Sequence, residues 1–336
     1  MIKKVYIPLI LILLLGSCNR QPESNYISFG GFTQGTTYSI SYESADSIVY
    51  KQAIETLLAC FDSSLSTYNQ LSVISKINKN QSNIADEKLQ TVFRTSEQVY
   101  KKTNGAFDIT VAPLVNAWGF GFKNKSEITN SLIDSILEFV GTHKICLKDS
   151  LIIKSDQRMM LDMNAIAQGY SVDLVAEFLA KKGVKNYLVE IGGEVKAHGV
   201  NHRQKPWRIG IDRPEDNNMI PGENLQAIIS LRNKSLATSG NYRKFYIRDG
   251  VKYSHTINPK TGYPVTHSLL SATVVANDCM TADAYATAFM VMGLDKAFEL
   301  ALKLSDIEAY FVYSDEKGQY QVRSTPEMEQ WIEEVK

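Results

Sequence analysis

One segment near the C-terminal end of the chain carries a carboxylate and a hydroxyl at helical spacing. It reads Asp278-Cys-Met-Thr-Ala-Asp283-Ala-Tyr-Ala-Thr287. On a helix, Asp283 and Thr287 stand at positions i and i+4, so both side chains face the same way. Hard oxygen ligands of this kind suit Mg²⁺, which keeps several waters and often shares phosphate oxygens with a substrate. The plainer interpretation is a capping or helix-dipole Asp and a Thr that bonds a preceding carbonyl.

A second candidate segment, LDMNAIAQGY, covers residues 161–170. The pattern predicts a strand that ends at Asp162 and a helix that begins just after it. Helix N-termini attract anions through their free N–H groups, so Asp162 could be a metal or ribose ligand beside a phosphate. An Asp or Asn that caps the helix explains the same segment equally well.

A pair of glycines follows another predicted strand, in the sequence Glu190-Ile-Gly192-Gly193-Glu194. Paired glycines let the backbone approach a ligand closely and can form an N–H nest for phosphate. The segment is neither a Walker loop nor a GxGxxG motif. A tight turn between two strands is the commoner origin of such a pair.

Two segments that are dense in turn-forming residues, 237–242 and 253–264, supply further polar groups. Histidine has an ordinary pKa of about 6.5, so His255 could act as a general acid or base near neutral pH. A structural histidine is the alternative. Ser239 carries a hydroxyl, but no GxSxG elbow surrounds it, which argues against a hydrolase nucleophile.

The elements that must position these residues come as runs of strands and separate blocks of helices. Strand patterns cover residues 27–42, 186–191, 207–212, 225–231, 244–248, 252–257, 270–276 and 307–313, with a hairpin over 144–154. Helical patterns cover residues 46–65, 86–102, 165–182, 280–304 and 327–334, the fourth being one helix or two joined at Gly293. This order predicts the α+β class: a single large domain, compact or two-lobed, with mixed or antiparallel sheets flanked by helices.

Composition excludes several classes of protein. The 336 residues are 44% hydrophobic, which is enough for a real core and too apolar for a mainly disordered chain. Lys plus Arg and Asp plus Glu both number 36, so no bulk positive charge exists to bind nucleic acid. Only one long apolar run is present, which excludes a protein with several membrane spans.

That apolar run lies at residues 5–15, after Lys3 and Lys4, and is shorter than the roughly 20 residues of a membrane span. A basic start followed by a short apolar stretch is typical of a secretory signal. The run ends in Leu15-Gly-Ser-Cys18, which looks like a bacterial lipobox. We therefore expect a signal peptide at 1–17, a lipidated Cys18 with a tether to residue 26, and a folded domain at 27–336. A plain signal peptide with an incidental cysteine is the alternative.

The other cysteines are Cys60, Cys146 and Cys279, and none shows zinc-ligand spacing. Cys60 lies in an apolar helical stretch and Cys146 in a strand-like one, so both are expected in the core.

The order of the segments resembles the ApbE family, the FAD:protein FMN transferases, over nearly the whole mature chain. Eight pieces match in order: residues 35–38 (GTTY), 66–68 (STY), 105–110 (GAFDIT), 161–170, 192–194 (GGE), 238–240 (TSG), 255–264 and 280–287. Many members are exported lipoproteins, which agrees with the lipobox. The resemblance implies an enzyme that splits FAD with Mg²⁺, moves FMN onto a Ser or Thr hydroxyl of a partner protein and releases AMP.

The resemblance also implies roles for individual residues. The metal would be held by Asp283 and Thr287, with backbone carbonyls at Ala165 and Ala286. The family's FAD contacts fall at Tyr68, Ala106, Phe107, Asp108, Asp162, Gln168 and Ile257. Gly192 and Gly193 could direct backbone donors at the phosphates, and Tyr68 and Phe107 offer aromatic surfaces for a ring. His255 is the candidate for taking the proton from the acceptor hydroxyl, with Asp162 or Asp283 as alternatives.

The chain departs from the family pattern at three positions. Gln34 stands where many members have Met, Gln168 replaces a commonly charged residue, and Asn258 replaces the usual Asp before Pro259. These departures leave the implied metal ligands unchanged. The partners expected from the resemblance are FAD, an acceptor protein and a bacterial membrane held through the lipid, with the domain facing the periplasm or the cell exterior. A Mg²⁺-dependent FAD pyrophosphatase and a flavin-binding lipoprotein without turnover remain the alternative functions.

Overall fold

A computed structural model of the chain describes residues 25–121, 127–215, 218, 220, 222–241, 245–248 and 251–333. The expected signal peptide and the lipidation at Cys18 lie outside these residues. The expected tether reaches residue 26, but the first strand already begins at Asn25, which pairs with Ser44. The folded body therefore begins two residues earlier than predicted.

The helices of the described residues are α1 (Lys51–Leu65), α2 (Val73–Asn78), α3 (Glu87–Lys102), α4 (Ala112–Ala117), α5 (Asn130–Leu137), α6 (Ala167–Lys181), α7 (Cys279–Met292), α8 (Leu294–Ala301) and α9 (Pro326–Glu329). The strands are β1 (Asn25–Thr33), β2 (Thr36–Ser44), β3 (Ile145–Lys148), β4 (Leu151–Lys154), β5 (Tyr187–Ile191), β6 (Glu194–His198), β7 (Trp207–Asp212), β8 (Leu225–Leu231), β9 (Lys234–Gly240), β10 (Phe245–Arg248), β11 (Val251–Ser254), β12 (Leu269–Ala276), β13 (Glu308–Ser314), β14 (Tyr320–Ser324) and β15 (Ile332–Glu333).

The largest sheet has eight strands in the order β1-β2-β5-β6-β9-β12-β13-β14, and each neighbouring pair is antiparallel. Smaller sheets are β15-β8-β7 and the hairpins β3-β4 and β10-β11. Helices α6 and α7 pack against each other and against this large sheet, α6 on β5 and β6 and α7 on β9 and β12. The α+β class is confirmed, with antiparallel sheets in one domain.

Helix α7 lies in the hydrophobic core of the domain. Nearly every residue of α7 is buried, because the helix is apolar on all sides and lies between the sheet, α6 and α3. Its own buried residues include Ala282, Ala286, Phe289 and Met290. A polar side chain in such a helix is therefore enclosed by protein rather than by water. Over the residues that the structure describes, no helix has the length and apolarity to cross a membrane.

Several boundaries and assignments differ from the sequence prediction. The segment 237–242 is dense in turn-forming residues and no strand was predicted there, but residues 237–240 belong to β9, in the middle of the large sheet. The predicted closing helix ends at Glu329, and Ile332 then pairs with Ile229 as an added strand. The helical pattern at 280–304 is two helices, because Gly293 has a positive φ of 78°.

Both cysteines that were expected in the core are exposed. The buried face of α1 includes Leu58 and Phe61, so Cys60 lies just outside it. Cys146 alternates with the buried Ile145 on β3 and points to the opposite face. The apolar stretch predicted the helix or strand correctly in each case, but it did not predict which face of that element the cysteine occupies.

Candidate active site

A cleft of about 440 Å³ opens beside α7 and β9. Segments 106–111, 162–168 and 255–259 complete its walls. The predicted site residues that line it are Tyr68, Ala106, Phe107, Asp108, Asp162, Ala165, Gln168, His255, Ile257, Asp283 and Thr287. Gly192, Gly193 and Ala286 are not part of the lining. Residues that are far apart in sequence thus meet in one place.

The N-terminus of α7 is fixed by two carboxylates. Asp278 caps the helix and accepts a hydrogen bond from the Thr281 N–H at 2.8 Å. Asp173 of α6 accepts hydrogen bonds from the N–H groups of Cys279 at 2.9 Å and Met280 at 2.8 Å. Burial raises the pKa of Asp173 to about 6, although these two N–H groups and Lys196 favour its ionised form. The register of α7 on α6 is set by these bonds.

Asp283 stands on α7 with only 5% of its surface exposed. Its Oδ2 accepts a hydrogen bond from the Gly169 N–H at 3.0 Å, while Oδ1 accepts none from the residues that the structure describes. Burial raises the pKa of Asp283 to about 7, even though the Gly169 N–H stabilises the carboxylate. The capping interpretation fails here, since Asp278 fills that role. Asp283 is a buried acid whose free oxygen faces a cleft.

Thr287 lies one turn further along α7, on the same face, as the spacing predicted. Its Oγ1 is 3.0 Å from Oγ of Ser239 on β9. Thr238 on the same strand is bonded to Thr273 of β12 at 2.8 Å between the two Oγ1 atoms. The sheet therefore holds Ser239 opposite Thr287 and keeps both hydroxyls at the cleft.

The carbonyl of Ala165 completes a group of oxygen atoms. It accepts no hydrogen bond from the described residues, because the Gly169 N–H four residues on donates to Asp283 instead. No cluster of three or more His, Cys, Asp or Glu side chains that could hold a metal occurs in the described part of the chain. One carboxylate, one hydroxyl and one carbonyl fit a hard cation that takes its remaining ligands from water and phosphate. The residues present thus fit the implied Mg²⁺.

The charge of the cleft also favours a bound cation. Its described lining has four carboxylates, on Asp108, Asp162, Glu194 and Asp283, and contains no Lys or Arg. An anionic ligand such as a pyrophosphate would be repelled by these groups unless a cation accompanied it.

Asp108 holds the backbone of the cleft rather than presenting a free carboxylate. Its Oδ1 accepts hydrogen bonds from the Thr110 N–H at 2.8 Å, Thr110 Oγ1 at 2.6 Å and Thr142 Oγ1 at 2.8 Å. Its Oδ2 accepts one from the Thr142 N–H at 3.0 Å. These bonds fix the turn at 106–110, so backbone atoms of Ala106 and Phe107 are held at the cleft wall.

The Gly-Gly pair forms the turn between β5 and β6. The Gly192 N–H donates to the Thr37 carbonyl at 3.0 Å and the Gly193 N–H to Oε1 of Glu190 at 2.8 Å. Both donors are therefore used within the chain, and the predicted phosphate nest is not present. A Cβ at Gly192 would lie 1.6 Å from Nε2 of Gln168, which donates to the Ile191 carbonyl at 3.0 Å. The glycine makes room for Gln168 at the cleft.

The other predicted residues take varied positions in the walls. Asp162 was expected at a strand end, but it lies in an irregular segment, where its N–H donates to the Ile109 carbonyl at 2.7 Å. Tyr68 is 73% exposed at the edge of the cleft, whereas Phe107 is 2% exposed, so its ring packs in the core and offers no open face. His255 lines the cleft with its ring 6.5 Å from that of Phe120, centroid to centroid.

Ala286, on α7, is fully buried and is not among the residues that line the cleft. The structure therefore does not place its backbone carbonyl, the predicted metal ligand, in the cleft lining. Ile257 is buried and bridges to Pro264, which closes the turn that carries it.

Sequence reasoning assigned no site role to six polar residues of the lining: Gln34, Asn164, Glu194, Thr238, Ser239 and Thr256. Gln34 has a positive φ of 51° at the turn between β1 and β2, and its Oε1 lies 3.3 Å from Ser171 Oγ. Its Nε2 is buried and has no partner among the described residues. The only signal for Gln34 was its departure from the family residue, and Glu194 was visible only as the acid after two glycines.

The chain is similar to known proteins over most of its length. The profile of the ApbE family matches residues 34–311. The chain is 37% identical to the FAD:protein FMN transferase of Haemophilus influenzae over 324 residues, which cover 92% of each chain. It is 36% identical to the FAD:protein FMN transferase of Vibrio cholerae serotype O1 over 299 residues, covering 86% of this chain and 88% of the relative.

Two crystal structures are similar over almost their whole length. The flavin transferase ApbE from Vibrio cholerae superposes with a TM-score of 0.82 at 31% identity, over 92% of this chain and 99% of that one. The apo flavinyl transferase ApbE from Pseudomonas stutzeri gives 0.82 at 32% identity, over 92% and 97%.

Proposed function

Because the chain belongs to the ApbE family, we propose that it is a Mg²⁺-dependent FAD:protein FMN transferase. The observation that carries this proposal is the oxygen set of Asp283, Thr287 and the Ala165 carbonyl in a cleft without Lys or Arg in its described lining. The names of the curated relatives supply the reaction. FAD is the substrate, and a hydroxyl of an acceptor protein receives FMN.

The residues have separate tasks in the reaction. Mg²⁺ held by Asp283, Thr287 and the Ala165 carbonyl would neutralise the pyrophosphate and the charge that develops on AMP. The acceptor oxygen forms a bond to the flavin-side phosphorus, the bridging P–O bond breaks, and AMP leaves with the bridging oxygen. His255 takes the proton of the acceptor hydroxyl. Positioning by the walls contributes most, because phosphoryl transfer needs little covalent help from the protein.

The fixed parts of the cleft serve this positioning. Ser239 and Thr287 lie on elements of the core, and the turn at 106–110 is held by Asp108. Tyr68, which is mostly exposed at the edge, is the aromatic surface available to a ring. Phe107 is excluded from that role while its ring stays in the core.

The deciding experiment incubates the mature chain with FAD, Mg²⁺ and an acceptor domain that carries a Thr in a flexible loop. Mass spectrometry then reads covalent FMN on the Thr, and chromatography reads free FMN and AMP. Labelled Thr with equal release of AMP supports transfer. FMN and AMP without labelling identify a pyrophosphatase, and binding without products identifies a flavin carrier. A parallel sample with EDTA tests the need for a divalent cation.

We further propose that the domain is exported and lipid-anchored through Cys18. This rests on the basic start, the short apolar run and the small residues before Cys18. The full chain is then expected in the membrane fraction, and Cys18→Ala is expected in the soluble periplasmic or secreted fraction. An unchanged membrane fraction for Cys18→Ala would reject the anchor.

A further inference from the structure

A second cavity, of about 460 Å³, lies directly beside the cleft. The two share Ala106 and Val291 as a common wall. The turn that presents Ile257 and Pro259 to the cleft presents Asn258 and Lys260 to this cavity. A ligand or protein that approaches the cleft from the side of this turn must therefore pass over the second cavity.

Four lysines line this cavity, which we call the lysine-lined cavity: Lys102, Lys260, Lys296 and Lys303. Glu299 is the only acid in the lining. All four lysines are exposed, and none forms an ion pair with a carboxylate in the described part of the chain. Asp295, the residue before Lys296, forms an ion pair with Arg323 instead, with 3.2 Å between its Oδ1 and Nη1 of Arg323.

This concentration of positive charge is local. The whole chain has equal numbers of basic and acidic residues, and the adjoining cleft has four carboxylates in its described lining. Lys102 ends α3 and Lys303 follows α8, where a cation also stabilises the end of a helix. That role does not account for Lys260, which is in a turn, or for Lys296, which is in the first turn of α8.

We propose that the lysine-lined cavity binds an acidic segment of the acceptor protein, next to the residue that receives FMN. This inference rests on the proposed function, since only a transferase needs a second protein at the cleft. A protein whose hydroxyl enters the cleft must place its neighbouring residues over the shared wall. Asp and Glu side chains there would meet unpaired ammonium groups, whereas basic side chains would be repelled. The cavity thereby selects acceptors by charge.

The test uses two synthetic peptides with one central Thr as probes. One peptide has Asp and Glu on both sides of the Thr, and the other has Asn and Gln at the same positions. Three forms of the mature chain are compared: the wild type, the double variant Lys260→Gln/Lys296→Gln, and Lys148→Gln as control. Lys148 is exposed on β3 and lines neither cavity. Fluorescence anisotropy without FAD gives peptide affinity, and mass spectrometry with FAD gives transfer.

The wild type and the control should bind the acidic peptide about tenfold more tightly than the neutral one at low ionic strength. The double variant should lose this preference and keep its affinity for FAD. The preference should also vanish near 1 M salt, where the screening length is about 3 Å. Lys296→Gln alone, on the surface of α8, should give an intermediate loss and serves if the double variant does not fold.

Four results would overturn the inference: equal wild-type affinity for both peptides, an undiminished preference in the double variant, equal transfer to both peptides, or binding to phosphatidylglycerol vesicles with binding to neither peptide. The last would assign the lysines to a membrane surface. Equal transfer to both peptides would reject the surface and leave the proposed function standing. Lysine-dependent binding of the acidic peptide without FMN transfer would support the surface and count against the proposed function.

Discussion

The backbone N–H of Gly169 on α6 donates to Oδ2 of Asp283 on α7 at 3.0 Å. The contact is possible because the two helices cross very closely at this glycine. A Cβ on residue 169 would lie 2.3 Å from the Cys279 carbonyl oxygen and 2.9 Å from Cβ of Asp283. The position of the candidate metal ligand thus depends on the absence of a side chain on another helix.

Gly169→Ala is therefore expected to destabilise the protein by about 1–3 kcal/mol, because the obstructing atoms are backbone. It should also weaken Mg²⁺-dependent turnover, since Asp283 must shift. Ala180→Gly, at an exposed position of α6, is the control for helix propensity, which alone would favour Ala at 169 by about 1 kcal/mol. Chemical denaturation and a transfer assay measure both effects. A stability gain in Gly169→Ala would contradict the close crossing.

Asp283→Asn is expected to abolish transfer while leaving the ligand-free protein at least as stable as the wild type at pH 8. The pKa of Asp283 is raised from 3.8 to about 7 in the folded protein, so the wild type loses stability as pH rises from about 4 to about 7. The Asp283→Asn variant carries an amide that does not titrate and has no such loss. Mg²⁺ should raise the melting temperature of the wild type only. Calorimetry with Mg²⁺ and with EDTA checks this. Full activity of the variant with EDTA present would refute the metal assignment.

Gln34→Ala is expected to weaken FAD binding about tenfold, because the variant loses a hydrogen bond from the unpartnered Nε2 to the ligand. The ligand-free protein should lose little stability, because the one contact removed, from Ser171 Oγ to Gln34 Oε1, is long at 3.3 Å and Ser171 Oγ also donates to the Gln168 carbonyl at 2.7 Å. Gln34→Met keeps the length of the side chain without the amide and should behave like Gln34→Ala. Titration with FAD and thermal melting separate the two effects. An unchanged dissociation constant would remove Gln34 from the binding site.

His255→Ala should slow transfer by about 100-fold while changing FAD affinity by less than about threefold, because the imidazole acts on the acceptor proton. His202→Ala, an exposed residue outside the cleft, is the matched control. Single-turnover rates and FAD titrations give the two quantities. Parallel losses in both would reduce His255 to a structural residue.

Asp173 should make the stability of the protein depend on pH between about 4 and 6. Its folded pKa of about 6 exceeds its ordinary value of 3.8, so the folded state keeps the proton longer. Its contribution is favourable below about pH 4 and is lost as pH rises to about 6. The free energy of unfolding of the wild type minus that of Asp173→Asn should therefore fall by about 3 kcal/mol across this range. A difference that stays flat with pH would contradict this.

Helical spacing correctly predicted the relative placement of one pair of candidate residues. Asp283 and Thr287 share a face of α7, and the structure places both at the cleft. The pattern could not give the partners of that face. The contacts of Asp283 with Gly169 and of Thr287 with Ser239 join residues more than 40 positions apart, and only the packing of α6, α7 and β9 brings them together.

The strand patterns in the sequence did not include β9. Small polar residues such as Thr238 and Ser239 are typical of turns, yet here they form a strand in the middle of the sheet. Their hydroxyls form hydrogen bonds with those of Thr273 and Thr287, which local sequence cannot reveal. At the Gly192-Gly193 pair the sequence left a tight turn and a phosphate nest open, and the structure contains the turn, with both N–H groups used within the chain.

The acidic walls of the cleft also dictate an order of events. A bare dinucleotide that approached four carboxylates would meet its own sign of charge, so retention should depend on a counterion that is already in place or arrives with it. We therefore expect the substrate recognised by this cleft to be the cation–nucleotide complex as a unit. After the phosphoanhydride had been split, the same repulsion by the carboxylates would assist the departure of the products.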